Sequence, residues 1–249
     1  MRKPIAAGNW KMFKTAKEAA AMIADLKEKV KDVKDREVVI CPTFTALESA
    51  VKAAQGSNVK IGAQNVYWEE KGAFTGEIAP NMIKDLGCEY VIIGHSERRQ
   101  YFGETDETVN KRIFAALKAS LTPIICVGET LQERESGRMM NVIETQVKGG
   151  LKSMTKEQML KSVIAYEPVW AIGTGKTASP EQAQEVHAFI RKLLNELFGK
   201  DVADQTRILY GGSVKPDNMA ELMKQADIDG GLVGGASLEA ESFSKIVKY

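Results

Sequence analysis

Short apolar runs recur along the chain at Ile5–Ala7, Val38–Cys41, Lys60–Ala63, Tyr90–Ile93, Pro123–Val127, Val163–Tyr166, Ile208–Tyr210 and Gly231–Val233. They are nearly continuous rather than alternating, the pattern of strands buried on both faces, as in a parallel sheet. Helical spacing fills the intervals. Ala19, Ile23, Leu26, Val30 and Val33 fall three and four apart, and so do Ala183, Val186, Ile190, Leu193 and Leu197. Helix starts are predicted where a Thr precedes a Glu or Gln by three residues: Thr15 with Glu18, Thr45 with Glu48, Thr130 with Glu133 and Thr155 with Gln158. Ser179-Pro180 before Gln182 adds a proline at a first helical position. Gly87 and Gly199 stand where helices should stop.

Strands alternating with helices make βα units, which close into a barrel or spread into a doubly wound open sheet. Eight units in 249 residues match the barrel in size. The expected fold is α/β, a single eight-stranded parallel βα barrel forming one domain over residues 1–249.

Composition narrows the function. Lys and Arg number 34 against 33 Asp and Glu, a net charge of +1, which argues against a nucleic-acid partner. Apolar residues make up 44% and charged residues 27%, ordinary for a globular protein. Cys41, Cys88 and Cys126 are odd in number and widely spaced, so neither a disulfide framework nor a zinc site is expected. No apolar run is long enough to span a bilayer. The expectation is a soluble, cytoplasmic protein with no metal and no membrane contact.

In a βα barrel the chemistry lies just after the strands. Asn9-Trp10-Lys11 follow the first run, Gln64-Asn65 the third and Gly94-His95-Ser96-Glu97-Arg98-Arg99 the fourth. Glu167-Pro168 and the stretch to Lys176 follow the sixth, Gly211-Gly212-Ser213 the seventh and Gly234-Gly235 the eighth. Any one of these has a bland reading: a solvated lysine, a loop histidine, a strand-ending glutamate, glycine turns. Their convergence at one end of the barrel is what marks a site. Glycine tips after strands seven and eight suit a phosphate, which needs backbone N–H donors at close approach. His187 falls inside a predicted helix and reads as packing or surface. Gly175-Lys176-Thr177 is no phosphate-binding P-loop, because Trp170 stands where that motif needs glycine. Gly94–Arg98 is no serine-hydrolase elbow, because it ends in Arg98.

Asn9-Trp10-Lys11, Gly94–Arg98, Ala165–Gly175, Tyr210–Ser213 and Gly231–Leu238 together resemble the triosephosphate isomerase family, in its order and spacing over essentially the whole chain. The run from Ala165 to Gly175 is the most specific. The resemblance implies a TIM barrel that interconverts dihydroxyacetone phosphate and D-glyceraldehyde 3-phosphate, without cofactor, in glycolysis and gluconeogenesis. It makes Glu167 the general base and His95 the group that polarises the carbonyl as a neutral imidazole. Lys11 would supply positive charge, Asn9 a hydrogen bond near the oxyanion, and Glu97 a partner for Lys11 with a role in proton transfer. Gly173, Ser213, Gly234 and Gly235, with Asn9 and Lys11, would hold the substrate. Pro168–Ala178 would be a mobile lid. The long aromatic connection Gln64–Glu77 would interlock two copies into a homodimer through Thr75. The competing readings are another phosphate-binding barrel, such as a Schiff-base aldolase using Lys11, and a non-catalytic barrel.

Overall fold

The computed structural model describes residues 2–172 and 177–249. Eight strands, β1 (Ile5–Asn9), β2 (Glu37–Cys41), β3 (Val59–Ala63), β4 (Tyr90–Ile93), β5 (Thr122–Val127), β6 (Val163–Tyr166), β7 (Arg207–Tyr210) and β8 (Gly230–Val233), pair in parallel in sequence order. Pairing of Ala6 with Gly231 and of Gly8 with Val233 joins β1 to β8 and closes the barrel, so the open sheet is excluded. Each predicted run lies on its strand.

The alternation hidden in those runs becomes visible once the barrel closes. Ile5, Ala7, Val39, Cys41, Tyr90, Ile92, Ile124, Cys126, Val163, Ala165, Leu209 and Leu232 form one buried cluster that fills the barrel. The intervening residues, such as Ala6, Val38, Ile40, Val91, Ile93 and Ile164, belong to a second cluster beneath the helices. A strand with apolar neighbours on both faces has no polar face to betray its period. The inward parity then carries past the apolar layers. Asn9 and Glu167 continue it at the C-terminal ends of β1 and β6, and Glu37, Lys60, Tyr90 and Arg207 occupy it at the opposite end.

The helix signals mostly hold. Thr15, Thr130, Thr155 and Ser179 each form the reciprocal capping box expected of them, and Pro180 opens its helix. Gly199 closes the helix Pro180–Phe198 at φ 88°, and Gly87, φ 97°, follows the helix Pro80–Asp85. Three expectations need correction. Thr45 caps nothing: it sits inside a short 3₁₀ turn, Phe44–Ala46, that runs straight into the helix Leu47–Ala54. Its hydroxyl instead meets that of Thr43, and Glu48 pairs with Lys52. Val33 is buried but lies beyond its helix, Ala16–Val30. Leu197 is exposed, its expected place on the buried face taken by Leu194 and Phe198.

His187 resolves to packing. It is fully buried, its Nδ1 3.1 Å from the Asp227 carbonyl and its ring edge-on to Tyr166. Burial pushes its pKa down to about 4.

Candidate active site

The segment after β1 is pinned at three points. Trp10 is buried and donates its indole N–H to the Ser237 carbonyl at 2.9 Å. The Asn9 Oδ1 accepts the Lys11 backbone N–H at 3.0 Å. Gln64 donates its amide to the carbonyls of both Lys11 and Cys41. These bonds hold Lys11 at φ 51°, a left-handed conformation that a residue with a long side chain rarely adopts. The strain aims the Lys11 ammonium at Glu97, 2.6 Å away.

His95 is the N-cap of the helix Ser96–Phe102, placed there by the turn at Gly94, φ 71°. Its Nδ1 accepts the Glu97 backbone N–H at 3.2 Å. That bond requires an unprotonated Nδ1 and so assigns the ring proton to Nε2. The Nε2 lies 2.8 Å from the Glu167 Oε1. The other oxygen of Glu167 accepts the Ser96 backbone N–H at 3.0 Å.

Both partners of this pair are buried, which by itself penalises their charged forms. For Glu167 the imidazole and the Ser96 N–H outweigh burial and hold its pKa below the usual carboxylate range. For His95 the Glu167 carboxylate outweighs burial and raises the pKa, while Lys11 opposes it. That upward pull depends on where Glu167 now sits. With the carboxylate turned away, burial, the largest influence, favours the neutral ring, joined by Lys11 and the positive end of the helix and opposed by Glu97.

Glu167 itself is wedged between main chains. A Cβ on Gly128 would lie 1.8 Å from the Glu167 carbonyl oxygen, and one on Gly211 would lie 2.9 Å from its Cγ. Two glycines thus leave room for the residue. Gly234 and Gly235 differ: a Cβ on Gly234 would approach only the Lys11 side chain, at 3.6 Å, and one on Gly235 would meet nothing within 4 Å. Packing demands neither glycine, and both border an open cavity.

That cavity holds about 280 Å³ and is lined by Asn9, Lys11, His95, Glu167, Ser213, Gly234 and Gly235. Seven of the predicted site residues therefore meet. Glu97 stands behind Lys11 rather than in the lining. Gly173 lies outside the described residues, as does the middle of the expected lid. The described part of the lid contributes Ala171 and Ile172 to the cavity wall. Its Trp170 donates to the buried Glu129 carboxylate at 2.9 Å, which Tyr166 and Arg134 also hold.

Sequence reasoning did not assign roles to Ser96, Glu129 or the cavity-lining Lys215. Ser96 meets Glu167 chiefly through its backbone N–H, at 3.0 Å against 3.5 Å for its hydroxyl, and no side-chain pattern reveals that. Among the described residues no group of three or more His, Cys, Asp or Glu could hold a metal ion, and no helix is long and apolar enough to cross a membrane.

A carboxylate, an imidazole and an ammonium converging on one cavity can remove a proton beside a carbonyl and steady the resulting oxyanion. Comparison with known proteins places the whole chain in one family. The family model for triosephosphate isomerase matches residues 4–249. The triosephosphate isomerase of Endomicrobium trichonymphae is 61% identical over 249 residues, covering 100% of this chain and 99% of that protein. That of Clostridium perfringens is 59% identical, with 100% of both covered. The crystal structure of triosephosphate isomerase from Bartonella henselae superposes with a TM-score of 0.89 at 40% identity, over 98% of this chain and 97% of that one. Matched from end to end in sequence and in fold, the chain belongs to the triosephosphate isomerase family.

Proposed function

We propose that the seven cavity residues and Glu97 carry the triosephosphate isomerase reaction, the interconversion of dihydroxyacetone phosphate and D-glyceraldehyde 3-phosphate (EC 5.3.1.1), as a single barrel domain over residues 1–249. The observation that carries the assignment is the short contact of Glu167 with His95 at the cavity wall. Glu167 leaves its contacts with His95 and Ser96, turns to the substrate and takes a proton from carbon. The carbonyl oxygen takes the vacated place at the His95 Nε2, whose N–H then stabilises the enediolate and relays protons between the oxygens. Lys11 faces the developing negative charge, kept in place by Glu97, and Asn9 adds a hydrogen bond.

The phosphate site is assigned to Ser213, Gly234, Gly235 and, beyond the described residues, Gly173. A 3₁₀ turn, Gly235–Ser237, begins at Gly234 and leaves its first N–H groups without partners inside the turn. The open space at both glycines suits a phosphate approaching the main chain. The lid shields the enediolate phosphate from water. A triose without phosphate is therefore expected to lose turnover and not merely affinity, because remote binding energy closes the site. Equal turnover of glyceraldehyde at saturation would remove this role.

The Schiff-base reading is disfavoured by the same geometry. A Schiff-base lysine is activated by an apolar pocket or a second cation. Here the ammonium sits 2.6 Å from a carboxylate.

Two copies form a homodimer in this reading, in the cytoplasm. The base of the Gln64–Glu77 connection folds back on its own barrel: Tyr67 stacks on Trp68, and the Arg112 guanidinium lies over the Trp68 ring. Its tip, with Phe74 and Thr75, stands exposed, as do Met12, Phe13, Tyr101 and Phe102. Apolar surface of this kind favours a second chain. Thr75→Arg should yield monomers with much lower activity, read by sedimentation beside an isomerase assay. A fully active monomer, or an undisturbed dimer, would sink this reading.

A further inference from the structure

One polar side chain beside Glu167 takes no part in the chemistry above, yet both ends of its amide are engaged. Gln146, half-buried on the helix Met139–Gly150, accepts the Gly128 backbone N–H at 2.8 Å and donates to the Gly128 carbonyl at 3.0 Å. Gly128 is the first residue beyond β5, where strand pairing ends. A primary amide offers the donor and acceptor of a peptide group. Gln146 therefore serves Gly128 as a neighbouring strand one residue long.

On the other flank the chain that carries the base is bonded to the same segment. The Glu167 N–H donates to the Val127 carbonyl at 2.8 Å, and the Val169 N–H to the Glu129 carbonyl at 3.0 Å. Between these bonds Gly128 meets the Glu167 main chain with no side chain intervening. Next along, the Glu129 carboxylate anchors Trp170 at the start of the lid segment. Any displacement of Gly128 passes directly to both.

We propose that Gln146 is a positioning residue for the isomerisation, clamping Gly128 so that the Glu167 main chain presents its carboxylate at the reacting carbon. This rests on the reading of Glu167 as the base. A side chain that only tied helix to barrel would affect stability and leave turnover alone.

The test uses the full-length protein. Gln146→Leu removes both bonds at similar volume and should lower kcat about tenfold with KM little changed, since small misplacements of catalytic groups act on the chemical step. Gln146→Glu supplies a sharper readout. At neutral pH its carboxylate accepts from the Gly128 N–H but repels the carbonyl. Once protonated, the carboxylic acid again offers one donor and one acceptor. The ratio of its kcat to that of the unmodified protein at the same pH should be low and constant above about pH 6 and rise as pH falls from there to about pH 4.5. Native kcat in Gln146→Leu, or a ratio flat with pH, would overturn the proposal. If the leucine variant does not fold, the ratio decides alone. Glu167→Gln run in parallel separates the two claims: near-normal turnover there removes the base, and the purpose of the clamp with it.

Discussion

The two ends of the barrel interior use the same inward-facing strand positions for opposite purposes. At the N-terminal end Glu37, Lys60, Tyr90 and Arg207 form a plug. The Glu37 carboxylate accepts from Lys60 at 2.8 Å, from Tyr90 at 2.6 Å and from Arg207 at 2.5 Å. Burial opposes the charge, but these three donors hold its pKa down at about 2. Nearby, Asp229 is gripped by Arg2 and Arg191, and Arg191 also takes Asp227. At the C-terminal end Lys11 is held at a positive φ, and Glu167 rests on His95 and Ser96 at the edge of a cavity. The plug's carboxylate has its full complement of partners, so the cheapest state is the one observed. The Glu167 contacts can be exchanged for substrate at little net cost. A barrel thus stores stability at one mouth and chemistry at the other.

The widest separation between the ends is expected from Glu167→Gln. It should lower kcat by on the order of 10²–10⁴-fold or more, because an amide cannot take the proton. The unfolding midpoint in urea should fall only modestly, since the amide oxygen can keep one of the two donors, the Ser96 N–H or the His95 Nε2–H. Near-normal turnover would move the base elsewhere.

Glu37→Gln should do the reverse. Lys60 and Arg207 would lose their shared counter-charge, which calls for a loss of roughly 2–3 kcal/mol after allowing for their partial exposure. Turnover should remain within about twofold. A fall in kcat matching that of a site variant would show that the two mouths are coupled.

Acid sharpens the comparison further. His187 refuses a proton in the fold until about pH 4, whereas the unfolded chain takes it near 6.5. Stability attributable to His187 is therefore complete above pH 6.5 and falls as pH drops to 4, by up to about 3 kcal/mol. Glu37 stays ionised to about pH 2 in the fold, so its contribution is complete above pH 4.5 and is lost between there and 2. Denaturation midpoints across this range should show two limbs, with His187→Gln flattening the upper one. An unchanged upper limb in that variant would exclude His187 as its source.

Much of the site could be read in advance because polar residues directly after apolar runs are conspicuous. Asn9, Lys11, His95 and Glu167 each stand within two residues of a strand end. The plug escaped notice for a related reason. Glu37 and Arg207 lie at strand starts, where a charged residue looks like ordinary surface, and only closure of the barrel brings them together. Gln146 sits mid-helix, 18 residues from its partner Gly128, and nothing local marks it. Thr45 failed as a cap because a 3₁₀ turn and a helix can both begin at such a pattern, and packing chose between them.

What the sequence determined alone was periodic and local: eight doubly buried strands, the helices between them, most of the caps, and the residue types at each strand tip. Those follow from short-range sterics and the need to bury apolar side chains. The tertiary structure alone decided which parity faces the barrel, which charges saturate one another at the closed mouth, and that Gly128 and Gly211 yield their side-chain space to Glu167. These depend on contacts between residues far apart in the chain, whose distances exist only once the eighth strand has paired with the first.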